Sequence, residues 1–93
     1  MKKSNFKLEE VIDLYNLPKY HKKALKALAK KPDVIAIDAS MVESIKTPGI
    51  QFLVSFVQTA QKNDISVIFK EPTDLLIRIL GYLGLENLLE TKE

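Results

Sequence analysis

Apolar residues recur every three or four positions in three segments of the chain, a spacing that places them on one face of a helix. The segments cover about residues 18–31, 48–63 and 73–84 and predict three helices. A fourth, short helix near the end would carry Leu85, Leu88 and Leu89. The stripes expected to face the core are His21, Ala24, Leu25 and Leu28 in the first helix, Ile50, Leu53, Val54 and Val57 in the second, and Leu76, Ile79, Leu80 and Leu83 in the third.

Two short runs rich in β-branched residues lie between the predicted helices, at Val34 to Ile37 and at Ile65 to Phe69. Such runs are typical of strands that are buried on both faces. Nearer the start, the apolar residues between Phe6 and Leu14 indicate a short strand or an abbreviated hairpin around Glu9 and Glu10. The pattern therefore alternates strands with helices.

The residues at the predicted helix ends are types that favour starting or stopping a helix. Asn16, Thr47 and Thr73 are placed to act as N-caps, and Pro48 suits the first helical position after Thr47. Gly84 is placed to end the third helix in a left-handed conformation.

The alternation predicts an α/β domain whose parallel strands are joined by right-handed crossovers. A length of 93 residues fits a single domain, residues 1–93, with one modest core. In open parallel sheets, functional sites gather at the carboxyl ends of the strands. Here that position belongs to Asp38 and the loop that leads to Thr47.

The composition argues against several classes of functional site. The chain has no Cys and one His, which excludes disulfides, cysteine nucleophiles and thiolate metal sites and argues against structural zinc. No Gly-rich phosphate loop is present, and no serine lies in a nucleophile elbow. We therefore expect no catalytic residues, no metal and no cofactor, and a protein that is not an enzyme.

Membrane insertion and nucleic-acid binding are not indicated either. The longest uncharged, apolar-rich stretch, residues 47–61, is shorter than the roughly 20 residues that a bilayer requires. The start of the chain turns acidic where a signal peptide would be apolar. We expect a soluble, cytoplasmic protein. A net charge of +2 is too small to indicate nucleic acid.

The first predicted helix combines its apolar stripe with many lysines. These are Lys19, Lys22, Lys23, Lys26, Lys30 and Lys31, largely opposite the stripe. A basic amphipathic helix can contact anionic lipid or an acidic partner. A solvated lysine face that keeps the domain soluble is the simpler interpretation. His21, on the stripe, is expected to pack against the core.

The segment from Asp38 to Phe56 carries the residues most indicative of function. Thr47 would place its hydroxyl at a helix N-terminus, where backbone N–H groups and the helix dipole stabilise negative charge, including that of a phosphate. The alternative is that Thr47 only caps the helix.

Two phenylalanines of the second helix fall away from its predicted stripe. At about 100° per residue, Phe52 comes out nearly opposite the stripe and Phe56 well off it. Exposed rings beside Ser55 indicate a protein-binding patch that starts at Thr47. The alternative is that Phe56 packs under the first or third helix.

The order of these pieces resembles the STAS domain family, which includes anti-sigma factor antagonists and the small cytoplasmic subunit of the lipid-asymmetry ABC transporter. The likeness covers about Val11 to Leu89. It rests on the strand that ends in Asp38-Ala39-Ser40, on Lys46-Thr47-Pro48-Gly49-Ile50, on Val67 to Phe69, and on Leu80-Gly81-Tyr82-Leu83-Gly84-Leu85. The resemblance implies an α/β sandwich with a short, mainly parallel sheet and about four helices.

The resemblance also implies roles for individual residues. Thr47 corresponds to the family's phosphoacceptor and Gly49 to its tight junction between loop and helix. Lys46 departs from the family, which usually has Asp there. The cation would either abolish recognition by a family kinase or partly neutralise a phosphate. The implied partner-binding set is Lys46, Thr47, Gly49, Gln51, Phe52, Ser55 and Phe56, with Asp38 and Ser40 supporting the loop.

By the same resemblance, the protein is a non-enzymatic regulatory module that binds a nucleotide-dependent partner through the Thr47 loop and the following helix. The partner would be an anti-sigma kinase, with phosphorylation of Thr47 as the switch. The alternative is a phospholipid-transporting ABC ATPase bound without phosphorylation. Only about ten residues precede Val11, so the first strand is expected to be abbreviated, which would leave a sheet edge for a second copy of the chain and a homodimer.

Overall fold

The computed structural model describes residues 2–89, in which strands and helices alternate. In chain order the elements are β1 (Lys3–Lys7), β2 (Val11–Ile12), α1 (Leu17–Ala29), β3 (Val34–Asp38), β4 (Ser44–Ile45), α2 (Thr47–Lys62), β5 (Ser66–Lys70), α3 (Asp74–Tyr82) and a 3₁₀ turn (Glu86–Leu88). The predicted α/β fold is confirmed. It has three α-helices where about four were expected, because the last segment forms only the 3₁₀ turn. None of the helices in this part of the chain combines the length and the apolar composition needed to cross a bilayer.

The main sheet has the strand order β1-β3-β5, and all of its strands are parallel. Its register aligns Lys7, Asp38 and Lys70 at the carboxyl ends of the three strands. Leu89 adds a single parallel bridge to Phe69 at the β5 edge. A second, two-stranded sheet pairs β2 with β4 in parallel. The short strands β2 and β4 therefore form a second sheet that is separate from the main sheet.

The first strand differs from the prediction in position and in length. β1 has five residues, as many as β3 and β5, so it is not abbreviated. Nor does it form a hairpin with β2, because β1 pairs with β3 and β2 pairs with β4. The strand begins at Lys3 and Ser4. Because these side chains are polar, the pattern of apolar residues did not predict that the strand starts there.

The helices pack on one face of the main sheet, which makes the fold a two-layer sandwich. Phe6, Ile35, Ile37, Val67 and Phe69 point from the strands into a core shared with the three helices. Ala36 is buried but lies outside that core, on the opposite face of the sheet. The prediction of burial on both faces is confirmed for β3, in which Ile35, Ala36 and Ile37 are all buried. It is wrong for β5, because Ser66, Ile68 and Lys70 on its second face are exposed or only half-buried.

α1 buries Ala24, as predicted, and the half-buried Leu28 packs against the core, but the rest of its buried stripe differs from the prediction. Its buried residues are Leu17, Tyr20, Ala24 and Ala27. Leu25, expected in the core, is 67% exposed, and His21 is exposed with its ring edge-on to Phe52 at a centroid distance of 5.1 Å. Tyr20 takes the core position because its hydroxyl accepts a hydrogen bond from the backbone N–H of Glu9 at 2.6 Å. A satisfied hydroxyl removes the main cost of burying a tyrosine.

The buried stripe of α2 is rotated in the same way. It consists of Gly49, Phe52, Leu53, Phe56, Val57 and Ala60. Phe56 stacks on Phe6 with ring centroids 5.4 Å apart, and Phe52 lies 6.1 Å from the ring of Tyr20. These aromatic contacts join α2 to β1 and α1. Ile50 and Val54, predicted to be in the core, are only half-buried at the border of the stripe.

The ends of the helices follow the predicted chemistry in part. The Thr73 hydroxyl accepts a hydrogen bond from the N–H of Leu76 at 3.4 Å, and Gly84 has a φ of 72° just after α3. Both assignments are confirmed. The N-cap of α2 is Lys46 rather than Thr47, which is already helical. Asn16 holds the N-cap position of α1, but its side chain bonds back to residues 11 and 13.

Candidate functional site

Thr47 opens α2 at the surface of the protein. Its side chain is exposed, as is that of Lys46, the N-cap residue that precedes it in extended conformation. The first turn of α2 carries no acidic residue. Because a helix N-terminus is itself partly positive, Thr47 lies in a positive electrostatic environment. This is the exposed hydroxyl that the sequence predicted, although it does not act as the helix cap.

The start of α2 is held in place by the two-stranded sheet beneath it. The N–H of Lys46 donates to the carbonyl of Ile12 at 2.9 Å, which continues the β2–β4 pairing up to the helix. The Lys46 carbonyl then accepts the N–H of Ile50 at 3.0 Å. Backbone hydrogen bonds therefore fix Lys46 on both sides, and the position of Thr47 follows from them.

Gly49 allows this close approach. A Cβ atom at position 49 would lie 2.7 Å from Cγ2 of Ile12 and 3.2 Å from the Ile12 carbonyl oxygen. The first distance would require the Ile12 side chain to shift, and the second is tighter than most Cβ contacts with a backbone atom. The glycine is therefore needed for helix packing, and it is buried. Its place in the partner-binding set is indirect, because it positions Thr47 without offering a surface of its own.

The exposed side of α2 presents a continuous face that begins at Thr47. Its exposed residues are Thr47, Gln51, Ser55 and Gln58, and the half-buried Ile50 and Val54 lie along its border. We call this set the α2 outer face. Residues three and four apart on a helix are neighbours, so these side chains form one strip. Its mixture of polar groups and partly exposed aliphatic groups is suited to contact with another protein.

Phe52 and Phe56 do not belong to this surface, and the exposed aromatic patch predicted from the sequence is wrong. The two side chains are 6% and 4% exposed. Their burial results from the rotation of the buried stripe, which leaves Ile50 and Val54 nearer the solvent. The sequence does contain the correct signal: Thr47, Gln51, Ser55 and Gln58 are all polar and recur at helical spacing.

Asp38 and Ser40 form a tight turn where β3 ends. The backbone N–H and the hydroxyl of Ser40 both donate to Oδ1 of Asp38, at 3.0 and 2.7 Å. These hydrogen bonds lower the pKa of the Asp38 carboxyl, and the charges of Lys7 and Lys70 lower it further. The carboxylate therefore stays ionised and organises the start of the loop that leads to β4 and α2. This agrees with a supporting role for the pair.

The predicted site residues thus fall into three groups. Lys46, Thr47, Gln51 and Ser55 lie together on the exposed side of α2 and its N-cap. Gly49, Phe52 and Phe56 lie beneath that surface, and Asp38 and Ser40 shape the preceding loop. Among residues 2–89, no cluster of three carboxylate or imidazole side chains is arranged to hold a metal ion. The arrangement offers a hydroxyl and a contact surface.

A family model agrees with this combination of fold and motif. The model described as "Mlab, STAS domain" matches residues 2–90. No curated protein matches the sequence.

Solved structures show the same fold at low sequence identity. The anti-sigma factor antagonist SpoIIAA in its unphosphorylated form superposes with a TM-score of 0.80 at 11% identity, covering 99% of this chain and 81% of its own. The SulP transporter STAS domain from Vibrio cholerae gives a TM-score of 0.73 at 16% identity, with 95% and 72% coverage. A sulfate transporter family protein from Wolinella succinogenes gives 0.74 at 16% identity, with 94% and 75% coverage.

Proposed function

The chain belongs to the STAS domain family, and we propose that it is a non-enzymatic regulatory module that binds a protein partner through Lys46, Thr47 and the α2 outer face. The observation that carries the proposal is the exposed Thr47 hydroxyl on a helix start that Gly49 and β2 hold rigidly. A rigid contact surface loses little conformational entropy when it binds.

In the first form of the proposal, phosphorylation of Thr47 switches the module, as in an anti-sigma factor antagonist. The partner is a kinase that transfers the terminal phosphoryl group of a nucleoside triphosphate to the Thr47 oxygen, which loses its proton, and the nucleoside diphosphate leaves. The phosphate adds about −1.5 to −2 charges and three acceptor oxygens. The amino-terminal end of α2 and Lys46 would accommodate that charge, so the fold survives. The partner surface, which matched a neutral hydroxyl, no longer fits.

A second form is supported by the family model whose description names Mlab. Here the chain is a constitutive subunit of a phospholipid-transporting ABC ATPase, and Thr47 is a permanent packing contact. Lys46 favours this form, because a cation takes the place of the family's usual Asp beside the hydroxyl. The α2 outer face serves the same purpose in both forms.

The deciding experiment is an affinity capture from the native cells, followed by intact-mass measurement of the bound chain. Capture of a kinase, with an added phosphate on unbound chain only, supports the switch. Capture of an ABC ATPase that persists through kinase and phosphatase treatment supports the constitutive subunit. In both forms of the proposal Thr47 contacts the partner, so Thr47→Glu should weaken partner binding about tenfold or more.

Thr59→Glu is the matched control, since Thr59 is an exposed threonine of the same helix that lies about 18 Å from Thr47 along the helix axis. It should bind the partner as the natural chain does. If Thr47→Glu and Gln51→Arg both bind the captured partner with unchanged affinity, this surface is not the interface and the proposal fails.

A further inference from the structure

One edge of the main sheet is open along its whole length. Within residues 2–89, β1 pairs only with β3. The Lys2 carbonyl accepts a hydrogen bond from the N–H of Val34, and the N–H of Leu8 donates to the backbone carbonyl of Asp38 at 3.0 Å. These bonds assign the even-numbered residues of β1 to β3, because partners alternate along a parallel strand. The backbone groups of Lys3, Asn5 and Lys7 therefore point away from the sheet.

A basic groove runs between this edge and α1. It has a volume of about 280 Å³ and is lined by Ser4, Asn5, Phe6, Lys7, Lys23, Lys26, Ala27 and Lys30. We call it the edge groove. Lys23, Lys26 and Lys30 follow helical spacing, so they form one row along α1 beside the strand. Unpaired backbone groups and a row of cations thus lie side by side.

We propose that the edge groove binds an acidic, extended segment of a partner protein, which adds to the sheet as a strand beside β1. Strand addition satisfies the open backbone groups of Lys3, Asn5 and Lys7. Side chains of the added strand alternate between its two faces. Those on the helix side meet the lysine row of α1, and those on the other side meet the side chains of Lys3 and Lys7.

The spacing of the two elements fits this arrangement. Residues two apart on a strand are separated by about 6.6 Å. Lys23 and Lys30 are about 10.5 Å apart along the helix axis, at 1.5 Å per residue. Two or three alternating Asp or Glu residues therefore fall within reach of the three lysines. The expected ligand is a stretch of five to seven residues, about the length of β1, with carboxylates at alternate positions.

The charges select an acidic partner over a second copy of the chain. Pairing β1 with another β1 would bring Lys3 and Lys7 of two copies together and add two lysine rows of the same sign, which is unfavourable. A membrane surface is also a poorer match, because the buried stripe of α1 faces the core and the exposed Leu25 lies on a different side of the helix from the lysine row. Lipid headgroups would also leave the open backbone groups without a strand partner.

The test uses the whole chain and a synthetic peptide, Thr-Glu-Val-Glu-Val-Glu-Thr, with both ends blocked. Isothermal titration and ¹⁵N–¹H spectra should show binding that weakens with added salt and shifts the amide signals of Lys3, Asn5 and Lys7. The same peptide with Lys in place of Glu should not bind. A peptide N-methylated on the residues that face β1 keeps its charges but loses the backbone bonds, and it should bind at least about tenfold more weakly.

Variants of the protein test the two components separately. The combined Lys23→Glu, Lys26→Glu and Lys30→Glu variant should lose about tenfold or more in affinity. The matched control Lys22→Glu, on the same helix but outside the edge groove, should lose far less. Asn5→Pro removes an outward N–H at an edge position where proline is tolerated, and it should also abolish binding. Circular dichroism melts establish that each variant is folded.

Four results would overturn the proposal: no peptide binding at low salt, equal affinity for the N-methylated peptide, binding only to phosphatidylglycerol vesicles, or self-association that Asn5→Pro abolishes. A Thr47→Glu chain should bind the peptide normally. The edge groove and the α2 outer face can therefore fail independently of each other.

Discussion

Phe56 of α2 stacks on Phe6 of β1, with ring centroids 5.4 Å apart and an angle of 28° between the ring planes. Both rings are buried. The contact ties the helix that begins at Thr47 to the first strand of the sheet. It also places Phe56 in the core beneath the α2 outer face. Stability therefore depends on Phe56, whereas the proposed binding surface includes its neighbour Ser55 on the exposed side of the same helix.

Truncation of this ring should destabilise the fold strongly. Phe56→Ala removes a buried aromatic side chain and is expected to lower the free energy of unfolding by about 3–5 kcal/mol. Ser55→Ala, on the exposed side of the same helix, should change it by less than about 0.5 kcal/mol. Urea unfolding followed by circular dichroism measures both. A Phe56→Ala chain of natural stability would show that the ring is not part of the core.

Gly49 and Gly81 should respond to alanine in opposite directions. A Cβ at position 49 meets Ile12 at 2.7 Å, whereas a Cβ at position 81 has no atom within 4 Å. Gly49→Ala is therefore expected to cost about 1–3 kcal/mol through overpacking. Gly81→Ala, inside α3, should add about 0.5–1 kcal/mol by restricting the unfolded chain. Thermal melts of the two variants would refute the packing argument if both changes had the same sign.

Tyr20 should make stability fall at alkaline pH. Burial raises the pKa of its phenol, and the backbone N–H of Glu9 donates to its oxygen at 2.6 Å. Because the folded pKa lies above the unfolded value of about 10, this stability is fully present below that pH. It is lost as the pH rises towards the folded pKa.

Comparison with Tyr20→Phe isolates that effect. The variant should lose about 1 kcal/mol at neutral pH, because the Glu9 N–H loses its acceptor. Its unfolding free energy should then decline less steeply than that of the natural chain above pH 10. Urea unfolding at several pH values provides the measurement, and parallel declines in the two proteins would contradict the assignment.

Asp38 should contribute stability that disappears in acid. Hydrogen bonds from Ser40 hold the pKa of its carboxyl below the ordinary value of 3.8. The contribution is present above that value and is lost as the pH falls through the lower, folded pKa. Ser40→Ala removes the hydroxyl donor, so it should raise the Asp38 pKa and shrink the loss. Carboxyl ¹³C titration of both proteins tests this; an unchanged Asp38 pKa in Ser40→Ala would remove Ser40 as its cause.

The elements of the fold were largely predictable because their signals are local. Thr73 and Gly84 lie at the two ends of α3 because a capping hydroxyl and a left-handed glycine act on the adjacent turn of backbone. The runs at residues 34–37 and 65–69 became β3 and β5 for the same reason. The start of β1 was not predicted because Lys3 and Ser4 are polar, although both residues pair with β3.

The faces of the helices could not be predicted with the same accuracy. In α2, both Val54 and Phe52 are apolar, and the helical spacing alone ranks the stripe containing Val54 as the better core. The structure chooses Phe52 because Tyr20 of α1 offers its ring a partner at 6.1 Å. In α1, Tyr20 is buried and Leu25 is exposed, because the N–H of Glu9 donates a hydrogen bond to the buried Tyr20 hydroxyl.

Sequence alone thus determined the α/β order of the elements, the position of Thr47 at the start of a helix, and the surplus of lysines on α1. These properties depend on residues close together in the chain. Only the tertiary structure decided that Phe52 and Phe56 are core residues and that the lysines of α1 line an open strand edge. Those outcomes depend on contacts between segments that are distant in the chain. Such contacts decide which side chains are buried in the core and which stay exposed.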